Sequence, residues 1–313
     1  MMRTLLTTSA LILVAGAAAA QVNFSGYGRF GLGYNEANGD AGGEDTALIS
    51  RFRLNIDADA YTDGGVQFSA RVRLQADDDP EINEQNSATL NGARFSAIYQ
   101  GFRLDVGNVS GAFDASDAYF GFEPGLEAFT GQYAAVDYDF LEYSSTGSGA
   151  NAVAAFYTGP NFLVGGSYDP DEVTGNDRWD ISAQYTFADA YTLYVGYGEN
   201  DNDQSLLIGV LTADFDRFTV NAFLGDEDLN LAPGAEDTDG TVYGLSAGFD
   251  VGTATQIVAS YGSGSGDADT EAYAVGFVHD LGGGVALKGG IGSEGPRNGS
   301  SSTVGDLGVL FNF

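Results

Sequence analysis

From Gln21 onward, apolar and polar residues alternate with a period of two, broken by turn signals roughly every ten residues, and no stretch carries the period of an amphipathic helix. Phe52, Leu54, Ile56 and Ala58 share one parity, while Arg53, Asn55, Asp57 and Asp59 share the other. The alternation returns in Val66, Phe68, Ala70, Val72 and Leu74 against Gln67, Ser69, Arg71, Arg73 and Gln75. It returns again in Trp179, Ile181, Ala183, Tyr185 and Phe187 against Asp180, Ser182, Gln184 and Thr186. Strands of this kind over the whole length leave no helix layer and no domain boundary.

The segments have the length, about 9 to 11 residues, at which a tilted β-strand crosses a bilayer. Taking Ala134 to Ser145 as a strand gives seventeen and puts the acidic stretch Asp169 to Asp177 among the short turns. Taking Asn108 to Gly149 as one insertion gives sixteen strands and two different ends. One end has tight turns, at Tyr61 to Gly65, Gln100-Gly101, Gly159 to Asn161, Ala188 to Ala190, Asp214 to Asp216, Asp250 to Thr253 and Leu281 to Gly284. The other carries Asn35 to Thr46, Ala76 to Gly92, Asn108 to Gly149, Asp169 to Asp177, Glu199 to Asp203, Gly225 to Asp239, Ser263 to Asp269 and Gly292 to Ser302. These long loops hold 32 of the 44 acids and a single base, Arg297. Tyr61, Tyr99, Phe102, Phe187, Tyr191, Phe215, Phe218 and Phe249 gather at the short turns, as an interfacial aromatic girdle would. A soluble sandwich explains the alternation but not this segregation. The expected fold is all-β, a 16-stranded antiparallel transmembrane barrel.

Composition narrows the function. The 313 residues include 46 Gly, one His and no Cys, and a formal charge of -32. Counterion release cannot drive so acidic a chain onto nucleic acid. Without Cys there are no disulfides, thiolate metal sites or cysteine nucleophiles, and one His supports almost no His-based catalysis. Residues 1–20 read as a signal peptide: Arg3, an apolar run from Ala10 to Ala17, then Ala18-Ala19-Ala20 before Gln21. The barrel would then occupy 21–313.

The bases carry the functional signal. Arg29, Arg51, Arg53, Arg71, Arg73, Arg94, Arg103, Arg178, Arg217 and Lys288 all fall on the polar parity of their strands. The opposite face would meet lipid, where a midplane Arg or Lys costs roughly 2 to 4 kcal/mol, so all ten are expected to line the lumen. Seven of them, Arg29 to Arg103, come from the first five strands and make one positive arc. The insertion that follows contains Asp114, Asp117, Glu123, Glu127, Asp137, Asp139 and Glu142 and no base.

Strand number, the segment Gly107-Asn108-Val109-Ser110-Gly111-Ala112-Phe113-Asp114 entering the third long loop, and a last strand ending in Phe313 give a clear resemblance. The chain resembles the general diffusion porins of Gram-negative bacteria, the alphaproteobacterial, Rhodobacter-like type in particular. That resemblance implies a homotrimer in the outer membrane, surrounded by lipid and lipopolysaccharide. It also implies that 108–149 folds into the lumen as a constriction loop, with Asp114, Asp117, Glu123 and Glu127 as its candidate acids and the choice of those that face the arginine wall left open. Phe313 resembles the sorting signal read by the outer-membrane insertion machinery.

The expected function is passive diffusion of ions and small hydrophilic solutes with a weak cation preference, and no catalysis. Arginines opposite carboxylates would set up a transverse field that penalises apolar solutes. The same arginines could instead tie the loop down through carboxylate pairs. No cofactor is required, although calcium at acidic loops such as Asp77, Asp78 and Asp79, or Asp226-Glu227-Asp228, is possible without EF-hand spacing. An exported acidic calcium-binding β-protein or adhesin is the alternative, and a hydrolase built on His279 a weaker one. His279 shares the outward parity of Tyr273, Val275 and Phe277, and Gly26 to Gly31 matches a dinucleotide motif only inside an alternating strand.

Overall fold

The computed structural model describes residues 21–40, 43–79, 84–127, 129, 131–171 and 175–313. The expected signal segment 1–20 and the side chain of Asp79 lie outside the described residues. Sixteen antiparallel strands follow one another around a closed barrel: β1 Gln21–Asn35, β2 Thr46–Tyr61, β3 Gln67–Asp79, β4 Thr89–Leu90 with Arg94–Tyr99, β5 Phe102–Gly107, β6 Ala152–Thr158, β7 Phe162–Asp169 and β8 Arg178–Phe187. The second half comprises β9 Tyr191–Asn200, β10 Ser205–Phe215, β11 Phe218–Asp228, β12 Gly240–Asp250, β13 Thr255–Gly264, β14 Thr270–Gly282, β15 Val285–Pro296 and β16 Ser302–Asn312. A two-residue segment, Glu84–Gln85, pairs only with the end of β3, at Asp78 and Asp79. The two helices among the described residues, Glu36–Asp40 and Asp117–Phe120, are single turns in loops.

Closure removes both unpaired edges, since β1 lies antiparallel to β16 from Tyr27 opposite Asn312 to Asn35 opposite Val304. Gly26 and Phe313 complete the seam by exchanging backbone hydrogen bonds of 2.9 and 3.0 Å. The pleat decides what faces out. Along β8, Trp179, Ile181, Tyr185 and Phe187 are exposed and Asp180 and Ser182 are buried, the polarity that lipid outside requires. Hairpin turns at one end are tight, as at Gln100-Gly101, where both residues have positive φ and the turn twists with its strands. Around those turns Tyr61, Tyr99, Phe102, Phe187, Phe215, Phe218 and Phe249 stand exposed in a ring, and Tyr191 packs between Phe187 and Phe215 at 5.5 and 5.9 Å. One expected long loop is short, because β9 runs to Asn200 and β10 begins at Ser205. A pair of hydrogen bonds between the Asn200 and Gln204 backbones and side chains closes that turn.

The hydrophobic core lies inside the barrel. Phe113, Tyr119, Tyr138 and Phe140 of the segment between β5 and β6 pack on Tyr194, Leu206, Ile208, Val210, Phe223 and Val242 of the inner wall. Leu206 is fully buried although its parity points to the lumen. Strand β10 is therefore apolar on both faces: Leu207 and Leu211 outward, Leu206, Ile208 and Val210 inward under the loop.

Candidate functional site: the pore constriction

The long segment after β5 runs out and back along the inner wall as a flattened hairpin, and wall residues seat it at each step. Ala112 donates its N–H to Asp180 Oδ1 on β8 at 3.2 Å, and Phe122 donates to Ser246 Oγ on β12 at 3.0 Å. At the far tip, Leu126 and Glu127 donate their N–H groups to Asp306 on β16 at 2.8 and 2.9 Å. On the way back, Gln132 Oε1 accepts from Ser246 Oγ at 2.8 Å, and Asp137 and Tyr138 donate to Glu227 Oε2 on β11 at 3.1 and 3.2 Å. Arg178 on β8 then donates to Asp139 and Phe140 carbonyls and pairs with the Asp139 and Asp169 carboxylates at 2.9 and 3.1 Å. Missing side chains on the wall let the loop backbone come close. A Cβ on Gly244 would stand 2.0 Å from the Gln132 carbonyl oxygen, and one on Gly262 would stand 2.6 Å from that of Gly131.

The loop covers the wall from β8 round to β1 and leaves the arginine arc facing the open lumen. Arg51 pairs with Asp77, Arg71 with Asp57 at 2.6 Å and Arg103 with Asp105 at 2.6 Å. Arg53 and Arg73 have no carboxylate in hydrogen-bond range among the described residues. Arg53 Nε donates to Gln75 at 2.6 Å, Arg73 Nε donates to Asn55 at 2.9 Å, and both donate to Ser145 Oγ at the base of the loop, at 3.3 and 2.6 Å. Tyr143 presents its ring to Arg73 at 4.7 Å and to Arg94 at 5.5 Å. Arg29 pairs with Glu127 and also donates to the Leu126 carbonyl, so this pair joins wall and loop tip.

One expected placement needs correction. Arg217 is at the short-turn end rather than in the lumen: it is exposed, bonds the Asp250 carbonyl, and lies over the exposed Phe249 ring at 5.3 Å. Its position between the last residue of β10 and the first of β11 takes it out of the alternating pattern. The four loop acids do not form one row against the arginines. Asp117 is exposed, Asp114 accepts the Tyr143 N–H at 3.0 Å, and Glu123 accepts the Tyr133 hydroxyl proton at 2.5 Å. Only Glu127 contacts a wall base. Burial pushes the carboxyls of Glu123 and Glu127 above the usual range, with the Tyr133 hydroxyl and Arg29, respectively, pulling back. Glu142 is pushed up by burial and then by its neighbours Asp114 and Asp139.

The acids that fasten the loop are on the wall: Asp180 and Asp306, which sequence parity makes lumenal, and Glu227, which falls in the expected long loop Gly225 to Asp239 and here lies at the end of β11. Asp180 and Asp306 carried a faint signal, each a carboxylate on the lumen-facing parity with a small residue two places on, Ser182 and Gly308. The apolar inner face of β10 was a second signal that something covers that wall. Asp77 and Asp78, considered for calcium, are engaged internally: Asp77 by Arg51 and Gln75, Asp78 by the Ser50 N–H. His279 shares a hydrogen bond of 2.7 Å with Thr255 Oγ1 on the neighbouring strand, and Phe313 is 51% exposed with its ring stacked on Phe52 at 5.7 Å.

Known proteins give the arrangement its context. The profile of the Gram-negative porins matches residues 7–298. A porin of Fuscovulum blasticum is 32% identical, over 94% of this chain and the whole of the relative, and a porin of Rhodobacter capsulatus is 28% identical with the same coverage. A triple mutant of Rhodopseudomonas blastica porin superposes with a TM-score of 0.78 at 29% identity, covering 94% of this chain and all of that one. A closed sixteen-stranded barrel, a lumen narrowed by an inward loop and a lipid-compatible exterior agree with that likeness along the whole length. The chain belongs to the Gram-negative porin family and is an outer-membrane channel for passive diffusion.

Proposed function

We propose that the channel prefers cations weakly, and the observation that carries this is the pairing of its bases. Arg29, Arg51, Arg71 and Arg103 of the positive arc, and Arg178 beyond it, each have a carboxylate partner, which weakens the field of the arc. The loop meanwhile holds Asp117, Asp137 and Glu142 outside any ion pair among the described residues. With 32 acids in the long loops at the rim, local cation concentration rises before an ion reaches Arg53, Arg73 and Arg94. A field between those three guanidiniums and the loop acids would favour hydrated polar solutes over apolar ones. Nothing in this reading requires catalysis or a bound cofactor.

The assembly reading rests on the same barrel. A homotrimer in a lipopolysaccharide-bearing outer membrane, export by a cleaved segment 1–20, and recognition of Phe313 by the insertion machinery are the partners this family membership supports. An asymmetric salt gradient across a planar bilayer tests selectivity. A reversal potential favouring cations at low salt, shrinking as salt screens fields beyond about 10 Å at 0.1 M, is the expected result. An anion-favouring potential at low salt would show that the arginine arc prevails.

A further inference from the structure

The returning limb of the constriction loop passes a second group of charges, away from the arginine arc. Asp137 of the loop, Glu227 at the end of β11 and Asp269 just before β14 each present a carboxylate oxygen, and the three oxygens all lie within 4.8 Å of one another. Two oxygens bound to one calcium ion at 2.3–2.6 Å can stand no more than about 5 Å apart, so the spacing suits a shared ion. Glu227 is 2% and Asp269 1% exposed, whereas Asp137 is open to solvent and marks the way in.

The buried Asp269 supplies the independent indication. Its Oδ2 accepts the Gly266 N–H at 2.6 Å, but Oδ1 is buried with no hydrogen-bond partner. Gly264 shows where this carboxylate points: a Cβ there would stand 2.0 Å from Asp269 Oδ2 and 3.1 Å from the Ala135 Cβ, so the group is packed between β13 and the loop limb leading to Asp137. Arg297, whose charge reaches Asp269, spends a guanidinium N–H on the Gly264 carbonyl at 2.8 Å and forms no ion pair with it among the described residues. Three carboxylates with one orphaned oxygen in a buried site repel one another unless something of opposite charge joins them. A hard cation that accepts irregular oxygen coordination and completes its shell with water does this. Magnesium, with its near-ideal octahedron and reluctance to shed water, suits three clustered protein carboxylates less well.

We propose that Asp137, Glu227 and Asp269 form a divalent-cation site of the calcium class that clips the returning limb of the loop to the wall. This rests on the reading of 108–149 as the constriction loop. It differs from Asp77, which pairs with Arg51, in that its carboxylates form no ion pair among the described residues.

The test uses the full chain, purified in detergent, stripped with a chelator and titrated with calcium chloride by calorimetry. Terbium luminescence excited through tyrosine is the second readout, because Tyr138 lies beside Glu227. One saturable calcium site per chain is expected, weakened about tenfold or more by Glu227→Gln or Asp269→Asn and unchanged in an Asp77→Asn, Asp78→Asn double variant. Should the buried substitutions prevent folding, Asp137→Asn, at an exposed position, is expected to weaken binding by itself. Absence of saturable binding in the unaltered chain overturns the proposal and leaves a shared proton to hold the carboxylates together. Folded Asp137→Asn and Asp269→Asn chains that bind calcium as tightly as the unaltered chain overturn it as well. Conductance of the same preparation separates the readings, since a chain that conducts without binding calcium defeats only the cation site.

Discussion

Asp306, on the last strand, holds the backbone N–H of Leu126 at 2.8 Å across a sequence separation of 180 residues. The same carboxylate takes the N–H of Glu127, whose side chain goes on to Arg29 on the first strand, so the loop tip is pinned at the seam where the barrel closes. Hydrogen bonds to a charged acceptor contribute roughly 1.5–3 kcal/mol each. Asp306→Ala is therefore expected to free the tip while leaving the strand ladder intact. Single-channel recordings should show larger or noisier open-channel current, with the barrel's heat resistance in SDS nearly unchanged. A quiet channel of unaltered conductance would show that the wall glycines and Arg29 hold the tip without it.

The arginine arc divides into paired and unpaired members, and their substitutions should differ accordingly. Arg53→Ala with Arg73→Ala removes the two guanidiniums that have no carboxylate partner and that hold Ser145. Conductance should rise and the reversal potential move further towards cations. Arg51→Ala with Arg71→Ala leaves Asp77 and Asp57 unpaired, and is expected to shift selectivity in the same direction with a smaller change in bore. Equal reversal potentials for the unaltered channel and the Arg53, Arg73 variant would place the selective region elsewhere.

Selectivity should depend on pH over a window set by the loop acids. Burial raises the carboxyl groups of Glu123, Glu127 and Glu142 above their ordinary value of 4.5. A raised carboxyl gains its proton at a higher pH than a free one, so as pH falls these groups lose negative charge first and the fixed arginines remain. Cation preference is expected to begin falling at a pH above 4.5, and to return on going back to neutral pH. Glu142→Gln should remove part of that early titration. A reversal potential that is flat down to the ordinary carboxylate range would contradict the assignment.

Gly244 faces the Gln132 carbonyl so closely that any side chain must move the loop backbone, since its Cβ would stand only 2.0 Å from that oxygen. Gly244→Val is expected to displace the returning limb towards the arginine arc and narrow the channel. Single-channel conductance should fall, and the exclusion limit for uncharged sugars in a liposome-swelling assay should fall with it. Gly209→Val, at a wall glycine with no loop atom in the same range, serves as the control.

Phe313 contributes ring contacts with Phe52 and Phe311, at 5.7 and 6.2 Å, at the outward face of the seam. Truncating it to Ala costs no more than about 1.5–3 kcal/mol of burial, a local loss of stability. As a sorting signal it would matter more to insertion: Phe313→Ala should lower the yield in the outer membrane and leave unfolded chain in the periplasm, with normal conductance in what inserts. Normal yield with a lowered melting temperature would make it only a girdle residue.

Alternation with period two is a local property, so strand positions, the lipid and lumen faces, and the aromatic ring at the short turns were all present in the order of residues. So was the asymmetry of the ends, because loop length and loop charge are read directly along the chain. The polar parity of the bases followed from the cost of placing charge against lipid, and Arg217 departs from it because a turn interrupts the alternation there. The tertiary structure alone decided how the loop lies. Its anchors are Asp180, Glu227 and Asp306, from strands that meet the loop only once the barrel has closed, and their partners are backbone N–H groups, which every non-proline residue carries and which leave no mark in a sequence. Among the loop acids, Glu127 pairs with Arg29 and Asp139 with Arg178. For the rest, wall carboxylates grip loop amides, because β2 and β3 already supply Asp57 and Asp77 to satisfy the arginines beside them.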